Sequence, residues 1–205
     1  MATSPQQAKF VGVRLFNLPN QLTTLRLILS VILFCFLVWE CYWTSFVLFL
    51  IAAGTDWLDG YYARKYGMVT TLGRILDPFA DKVIICGTFM FLAAEPGMTK
   101  VAFGLRMWMV VVVVARELLV TTIRSFIEER GGDFSAKWSG KIKMVLQCIA
   151  AGACIVHMTF SAQKPPQEVP LWVLCTMIGF IWAAVISTIY SGAIYIVAAI
   201  KQLKE

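Results

Sequence analysis

Six long runs of apolar residues, separated by short polar segments, dominate the chain. Each run has at least the roughly 17 residues that a helix needs to cross the hydrocarbon core of a membrane. The runs cover residues 22–39, 42–64, 77–94, 104–127, 138–160 and 171–200. This pattern predicts an all-α integral membrane protein with six transmembrane helices.

The polar segments complete this predicted architecture. Residues 8–16 mix basic and bulky apolar positions, which favours a short N-terminal interfacial helix within a juxtamembrane segment of residues 1–20. Most lysines and arginines lie at the ends of runs that share one side with both termini, so the positive-inside rule places the N and C termini in the cytoplasm. With no internal repeat, residues 1–205 are expected to form a single membrane domain.

Composition narrows the class of protein. A chain of 205 residues that is 59% hydrophobic is too apolar for an ordinary soluble domain. The net charge of +6 is spread between apolar runs, which suits anionic membrane lipid as a partner and argues against nucleic acid. The six cysteines form no C-x2-C pair and no cluster with histidine, so we expect buried small residues and no zinc site.

One stretch, residues 55–82, joins the end of the second run to the start of the third and is unusually polar. It contains four aspartates, Asp56, Asp59, Asp77 and Asp81. Ionisable side chains at membrane depth are costly and commonly mark a functional site. Steps of three and four residues put each pair on one helix face, so two helices could direct four carboxylates into one cleft near the cytoplasmic side.

Four carboxylates that lie close together need a cation, because like charges otherwise force some of them to take up protons. Oxygen ligands of this kind select Mg²⁺ or Mn²⁺, and such ions are usually held by carboxylates together with substrate phosphates. Two ions side by side would bind a diphosphate for in-line displacement.

Pro78 leaves the start of the third helix open. Either Asp77 caps a helix that begins there, or the helix starts near Gly73 and continues through Pro78 with a kink. The four-residue spacing of Gly73, Asp77 and Asp81 favours the second alternative.

The order D-x2-D-G-x2-A-R-x8-G-x3-D-x3-D is complete from Asp56 to Asp81, and it resembles the signature of the CDP-alcohol phosphotransferase family. The resemblance implies that Asp56, Asp59 and Asp77 hold the metal ions and that Asp81 completes the metal site and acts as general base. It also implies a homodimer. The residues that would line the CDP-lipid site within the motif are Gly60, Ala63, Arg64 and Gly73.

The first run opens with L-P-N-x-L-T-x-x-R, which is also similar to members of this family. Asn20 and Thr23 have two possible roles here. Both residue types cap helices well, and the resemblance instead implies contact with the cytidine of the CDP-lipid.

The fourth and fifth runs carry basic residues on the cytoplasmic side: Arg116, Arg124, Lys137, Lys141 and Lys143. They could bind the phosphate of an acceptor, or simply reflect the positive-inside rule. Arg116 lies deeper in its run and needs a partner, which is either Glu117 or a ligand phosphate.

The segments LDPFADK, ARELLVTTIR and WSGKIK resemble family members that use glycerol 3-phosphate as acceptor. The resemblance implies that the chain transfers a phosphatidyl group from CDP-diacylglycerol to glycerol 3-phosphate at the cytoplasmic face of a bacterial plasma membrane, releasing CMP. Two alternatives remain at this point. One is another acceptor, such as serine, an inositol phosphate or phosphatidylglycerol; the other is a small membrane transporter.

Overall fold

The computed structural model describes residues 18–66, 71–129, 138–163 and 168–202 of the chain. Residues 18–20, 56–66, 71–75, 128–129, 138–139 and 201–202 within these ranges are described by their backbone alone. The predicted interfacial helix at residues 8–16 lies outside the described residues.

The described residues form six long helices and one single-turn helix, and they contain no strand. These are α1 (Leu18–Val38), α2 (Tyr42–Tyr66), α3 (Thr71–Ala94), α4 (Pro96–Thr99), α5 (Met107–Glu129), α6 (Trp138–Ser161) and α7 (Leu171–Gln202). The all-α prediction is therefore confirmed. The single turn α4 was not predicted, because Pro96 and Gly97 indicated only a turn.

Within the described residues, three helices are long and apolar enough to cross a membrane: α1 over Gln21–Val38, α6 over Gly140–Ser161 and α7 over Leu171–Ile200. The described apolar stretch of α2, Tyr42–Thr55, is shorter than a full span, and the side chains of residues 56–66, which continue this helix, are not described. Helices α3 and α5 each carry several charged side chains, which lowers their mean hydropathy. The chain is thus a membrane protein by composition, while the number of six spans stays a prediction.

A tight turn joins α1 to α2. Cys41 N–H donates to the Phe36 carbonyl at 3.0 Å and Glu40 N–H donates to the Leu37 carbonyl at 3.1 Å. This is the Schellman pattern of hydrogen bonds, and Glu40 occupies the left-handed position with φ of 57°. Because the connection is so short, α1 and α2 lie side by side in opposite directions.

One apolar core extends through all the long helices. Its fully buried members include Leu33 of α1, Phe49 of α2, Leu92 of α3 and Ile155 of α6. Helix α6 packs against α2 at Gly152, where an added Cβ would lie 3.6 Å from the Phe46 ring, an ordinary van der Waals contact. The outward faces of the helices remain apolar, as expected for contact with lipid.

Helices α1 and α3 pack closely at Gly87. A Cβ atom at this position would lie 2.2 Å from Cζ of Phe34, whose ring stacks on Phe91 with the centroids 5.1 Å apart. Any larger residue here therefore forces the Phe34 ring to shift.

We expect Gly87→Ala to lower the apparent melting temperature of the purified protein in detergent. Overpacking costs about 1–3 kcal/mol, which exceeds the roughly 1 kcal/mol that alanine gains over glycine in a helix. Gly179→Ala is the matched control, since a Cβ at Gly179 meets no atom within 4 Å. Equal melting temperatures for the two variants would show that Phe34 moves aside at little cost.

Candidate active site

Asp77 and Asp81 lie one turn apart inside α3. The helix begins at Thr71 and continues through Pro78, so Asp77 is not an N-cap and the alternative of a continuous helix is confirmed. Proline has no backbone N–H, which leaves the carbonyl four residues earlier without its usual helical partner. Asp77 therefore projects from a locally weakened part of the helix.

Two residues of α1 bind these carboxylates. The Thr23 hydroxyl donates a hydrogen bond to Oδ1 of Asp77, and Nη1 of Arg26 lies 2.6 Å from Oδ1 of Asp81. Thr23 and Arg26 are 0% and 1% exposed, so both polar groups are removed from solvent and need these partners. The steps of three residues on α1 and four on α3 keep the two pairs in register along neighbouring helices.

These contacts revise the interpretation of the first helix. Since α1 begins at Leu18, Thr23 lies beyond its first turn and cannot cap it, so the capping alternative is wrong for this residue. The structure instead gives Thr23 a carboxylate partner on α3. The side chain of Asn20 lies outside the described part.

A cavity of about 690 Å³ opens beside Asp81. Helices α3, α5, α6 and α7 form its walls, and its size lies within the range of small-molecule sites. Four of the five basic residues predicted for the acceptor line this cavity together with Asp81: Arg116, Arg124, Lys141 and Lys143. Their role in binding is still a prediction, and the fifth, Lys137, lies outside the described residues.

Arg116 is fixed by contacts with two helices. Its Nη1 lies 3.1 Å from Oε1 of Glu117, and its Nη2 donates to Oγ of Ser191 on α7 at 2.9 Å. The guanidinium carbon also lies 5.5 Å from the centroid of the Tyr195 ring, in a cation–π arrangement. The predicted partner Glu117 is therefore present, and Ser191 and Tyr195 are additional partners.

Lys143 of α6 belongs to the same group of residues. Its ammonium donates to Oε1 of Glu117, the oxygen that also contacts Arg116, and its side chain is only 5% exposed. Gln147, one turn further along α6, donates to the Thr188 hydroxyl of α7 at 3.1 Å. Polar contacts thus join α5, α6 and α7 along one wall of the cavity.

Sequence reasoning gave no role to Ser191 or Tyr195, although a signal was present. Thr188, Ser191 and Tyr195 follow one another at steps of three and four residues in an otherwise apolar helix. A polar stripe of this kind predicts a face turned toward a partner or a cavity. All three residues are buried.

The other half of the aspartate motif lies largely outside the described side chains. The structure describes only the backbone of these residues. Helix α2 contains Asp56, Asp59, Gly60, Ala63 and Arg64, and helix α3 contains Gly73. Among the described residues, no three acidic, histidine or cysteine side chains form a group that could hold a metal ion.

The observed arrangement defines a class of protein. The Asp81 carboxylate borders a cavity whose other walls carry cations, as expected for an enzyme that acts on phosphate-containing substrates at a membrane. The sequence profile of the CDP-alcohol phosphatidyltransferase family matches residues 16–190, so the chain belongs to that family. The family predicted from the aspartate motif is confirmed.

Curated bacterial proteins are similar to the chain over most of its length. A CDP-diacylglycerol–glycerol-3-phosphate 3-phosphatidyltransferase of Bacillus subtilis strain 168 is 34% identical, with 87% of this chain and 92% of the relative covered. The enzyme of the same name from Escherichia coli strain K12 is 29% identical, covering 93% and 98%. A probable phosphatidylglycerophosphate synthase of Mycobacterium tuberculosis H37Rv is 29% identical, covering 99% and 91%.

The ion pair between Arg26 and Asp81 leads to a prediction about stability. We expect Arg26→Gln to lower the free energy of unfolding by about 1.5–3 kcal/mol, the value of a hydrogen bond to a charged group. The larger cost of breaking a fully buried pair does not apply, because Asp81 is 26% exposed. Thermal unfolding in detergent measures the change.

Lys82→Gln is the control for this variant. Lys82 is adjacent to Asp81 in the chain, but its ammonium donates to the Pro78 carbonyl on the exposed side of α3, at 3.2 Å. A similar loss of stability in both variants would mean that net charge matters and the specific pair does not.

Proposed function

We propose that the chain transfers the phosphatidyl group of CDP-diacylglycerol to glycerol 3-phosphate, giving phosphatidylglycerol phosphate and CMP. The names of the curated relatives support this reaction, because two of them state both substrates. The observation that carries the proposal is the cavity that joins Asp81 to Arg116, Arg124 and Lys141.

In the proposed reaction, a primary hydroxyl oxygen of glycerol 3-phosphate attacks the lipid-side phosphorus of CDP-diacylglycerol. The proton of that hydroxyl passes to Asp81. The bond between the attacked phosphorus and the oxygen that bridges the two phosphates breaks, and CMP leaves with that oxygen. A positioned carboxylate base of this kind contributes about 10²- to 10⁴-fold to the rate.

The cationic walls of the cavity suit the acceptor. Glycerol 3-phosphate carries its negative charge at the end opposite to the attacking hydroxyl. Arg116 and Arg124 on α5 would bind this phosphate, because a guanidinium offers paired donors to phosphate oxygens. The hydroxyl end would then face Asp81 on the other wall.

The carboxylate oxygens of the aspartate motif also suit a hard metal ion. Asp77 and Asp81 present carboxylate oxygens one turn apart, and oxygen ligands are those that Mg²⁺ and Mn²⁺ prefer. We propose that Asp56 and Asp59 of α2 complete the site for two ions. When bound, the ions would neutralise the diphosphate and the leaving CMP. Thr23 and Arg26 would orient the ligands from α1, as partners of metal ligands commonly do.

Membrane orientation is part of the proposal. Exposed aromatic residues cluster at the helix ends remote from the cavity: Trp39, Trp43, Phe103, Trp108 and Trp172. Trp is enriched at both membrane interfaces, so this end suits an interface, and the basic residues at the opposite end would make it the outer one. The six long helices would then all cross the membrane, with both termini and the active site in the cytoplasm. We expect a bacterial plasma membrane and a homodimer, on the resemblance to the family.

CMP release by the purified protein tests the proposed function directly. CDP-diacylglycerol and Mg²⁺ are supplied, and glycerol 3-phosphate, serine, inositol phosphate and phosphatidylglycerol are offered one at a time. We expect release with glycerol 3-phosphate only, and loss of release when EDTA removes the metal. Release with another acceptor would reassign the cationic pocket. No release with any acceptor would favour the transporter alternative.

We expect Asp81→Asn to reduce CMP release at least 10²-fold, because the amide cannot take the proton of the attacking hydroxyl. Binding of CDP-diacylglycerol to this variant, measured by calorimetry, shows whether the donor site is intact. A near-normal rate in Asp81→Asn would remove Asp81 as the base.

A further inference from the structure

Glu117 lies between two cations in the wall of the cavity. Its Oε1 contacts both Nη1 of Arg116 and Nζ of Lys143, from α5 and α6 respectively. The three side chains are only 5–12% exposed, so their charges interact with little screening by water. One carboxylate oxygen thus occupies a position where two cationic groups converge.

Convergent cations of this kind form a binding site for an anion. If the Glu117 carboxylate were absent, a phosphate oxygen at the same position would contact both Arg116 and Lys143. Glu117 also sets the charge of the group, which is +1 with the carboxylate present and would be +2 without it. The Glu117 carboxylate therefore occupies the anion site between Arg116 and Lys143 and lowers the charge of the group from +2 to +1.

Arg116 remains able to bind a ligand in this arrangement. Ser191 and Tyr195 hold the guanidinium from α7, and Gly192 leaves room for its aliphatic part, since a Cβ there would lie 3.2 Å from Cγ of Arg116. Its Nε is buried and has no hydrogen-bond partner among the described residues. The guanidinium has five N–H groups, and the contacts with Glu117 and Ser191 use two of them, so others remain for an anion in the cavity that Arg116 lines.

We propose that Glu117 is a positioning residue that keeps Lys143 out of the acceptor-phosphate subsite. With Lys143 bound to Glu117, the phosphate is held by Arg116 and the acceptor hydroxyl faces Asp81. Without the carboxylate, the phosphate moves into the site between Arg116 and Lys143, and the hydroxyl is drawn away from Asp81. The inference rests on the proposed function, because it concerns the acceptor of that reaction.

The proposal separates binding from turnover. Removing Glu117 strengthens phosphate binding, because the net positive charge rises and a second cation becomes available. It lowers kcat, because the bound acceptor is displaced from the base, and small displacements of reacting groups can cost about 10²-fold. A role limited to stability would change neither the affinity for phosphate nor kcat per folded molecule.

The test compares four proteins: the wild type, Glu117→Gln, Lys143→Met and the double variant Glu117→Gln/Lys143→Met. Affinity for inorganic phosphate is measured by calorimetry on the full chain in detergent, and kcat and KM for glycerol 3-phosphate by CMP release. Glu168→Gln, an exposed carboxylate in the outer connection to α7, is the matched control and is expected to behave as wild type.

For Glu117→Gln we expect phosphate affinity to rise at least fivefold and kcat to fall at least tenfold, with KM for glycerol 3-phosphate unchanged or lower. In the double variant both values return toward those of the wild type, because the group charge is again +1 and no free lysine competes for the phosphate. Unchanged phosphate affinity and kcat in Glu117→Gln overturn the proposal. A fall in kcat that the double variant does not reverse also overturns it.

Two further outcomes remain informative. If Glu117→Gln does not fold, Lys143→Met and the double variant decide, since the proposal requires the double variant, with a group charge of +1, to bind phosphate about as tightly as the wild type and more tightly than Lys143→Met, whose group charge is 0. Equal phosphate affinities in these two variants contradict it. If the wild type releases no CMP with glycerol 3-phosphate, the proposed function is wrong. Phosphate affinities that do not rise in Glu117→Gln then refute the inference separately.

Discussion

Charged side chains within apolar helices must have partners, and this requirement determines how the helices of the protein associate. An ion without a partner in such surroundings is costly. Each described charge near the cavity is therefore expected to pair with a group on a neighbouring helix. Arg26 and Asp81 join α1 to α3, and Glu117 and Lys143 join α5 to α6. Apolar contacts fill the space between the helices, but these pairs select which faces meet.

The pairs divide the site into two halves. Thr23 and Arg26 on α1 hold the carboxylates of α3, whereas Arg116 and Lys143 form a cationic wall with α7 behind it. A phosphate ester needs both halves during transfer, since a base must take a proton while cations hold the charge. The cavity between the halves gives the substrates a common space in which these requirements are met.

Helix positions were predictable because they depend on local pattern. Apolar runs long enough to cross a membrane predicted the positions of all six long helices. The spacing of Gly73, Asp77 and Asp81 favoured the continuous α3 that the structure has. Pairing between helices could not be predicted in this way. Thr23 was interpreted as a cap or a nucleotide contact because nothing in the sequence shows that α1 lies against Asp77. Ser191 and Tyr195 were missed although their spacing with Thr188 gave a signal, because the sequence does not show that α7 lies against Arg116. The α2 side chains of the motif are not described.

Separate helices for the two halves have a consequence for the choice of acceptor. The proposed base and metal ligands belong to α2 and α3, and their orienting partners to α1, whereas the residues proposed to meet the acceptor belong to α5 and α6, with α7 holding Arg116. A substitution such as one at Ser191 or Tyr195 alters how Arg116 is held and leaves the contacts of Asp77 and Asp81 in place. Under the proposed function, changes in the cationic wall would therefore alter which alcohol attacks, while the displacement of CMP would still depend on Asp77 and Asp81.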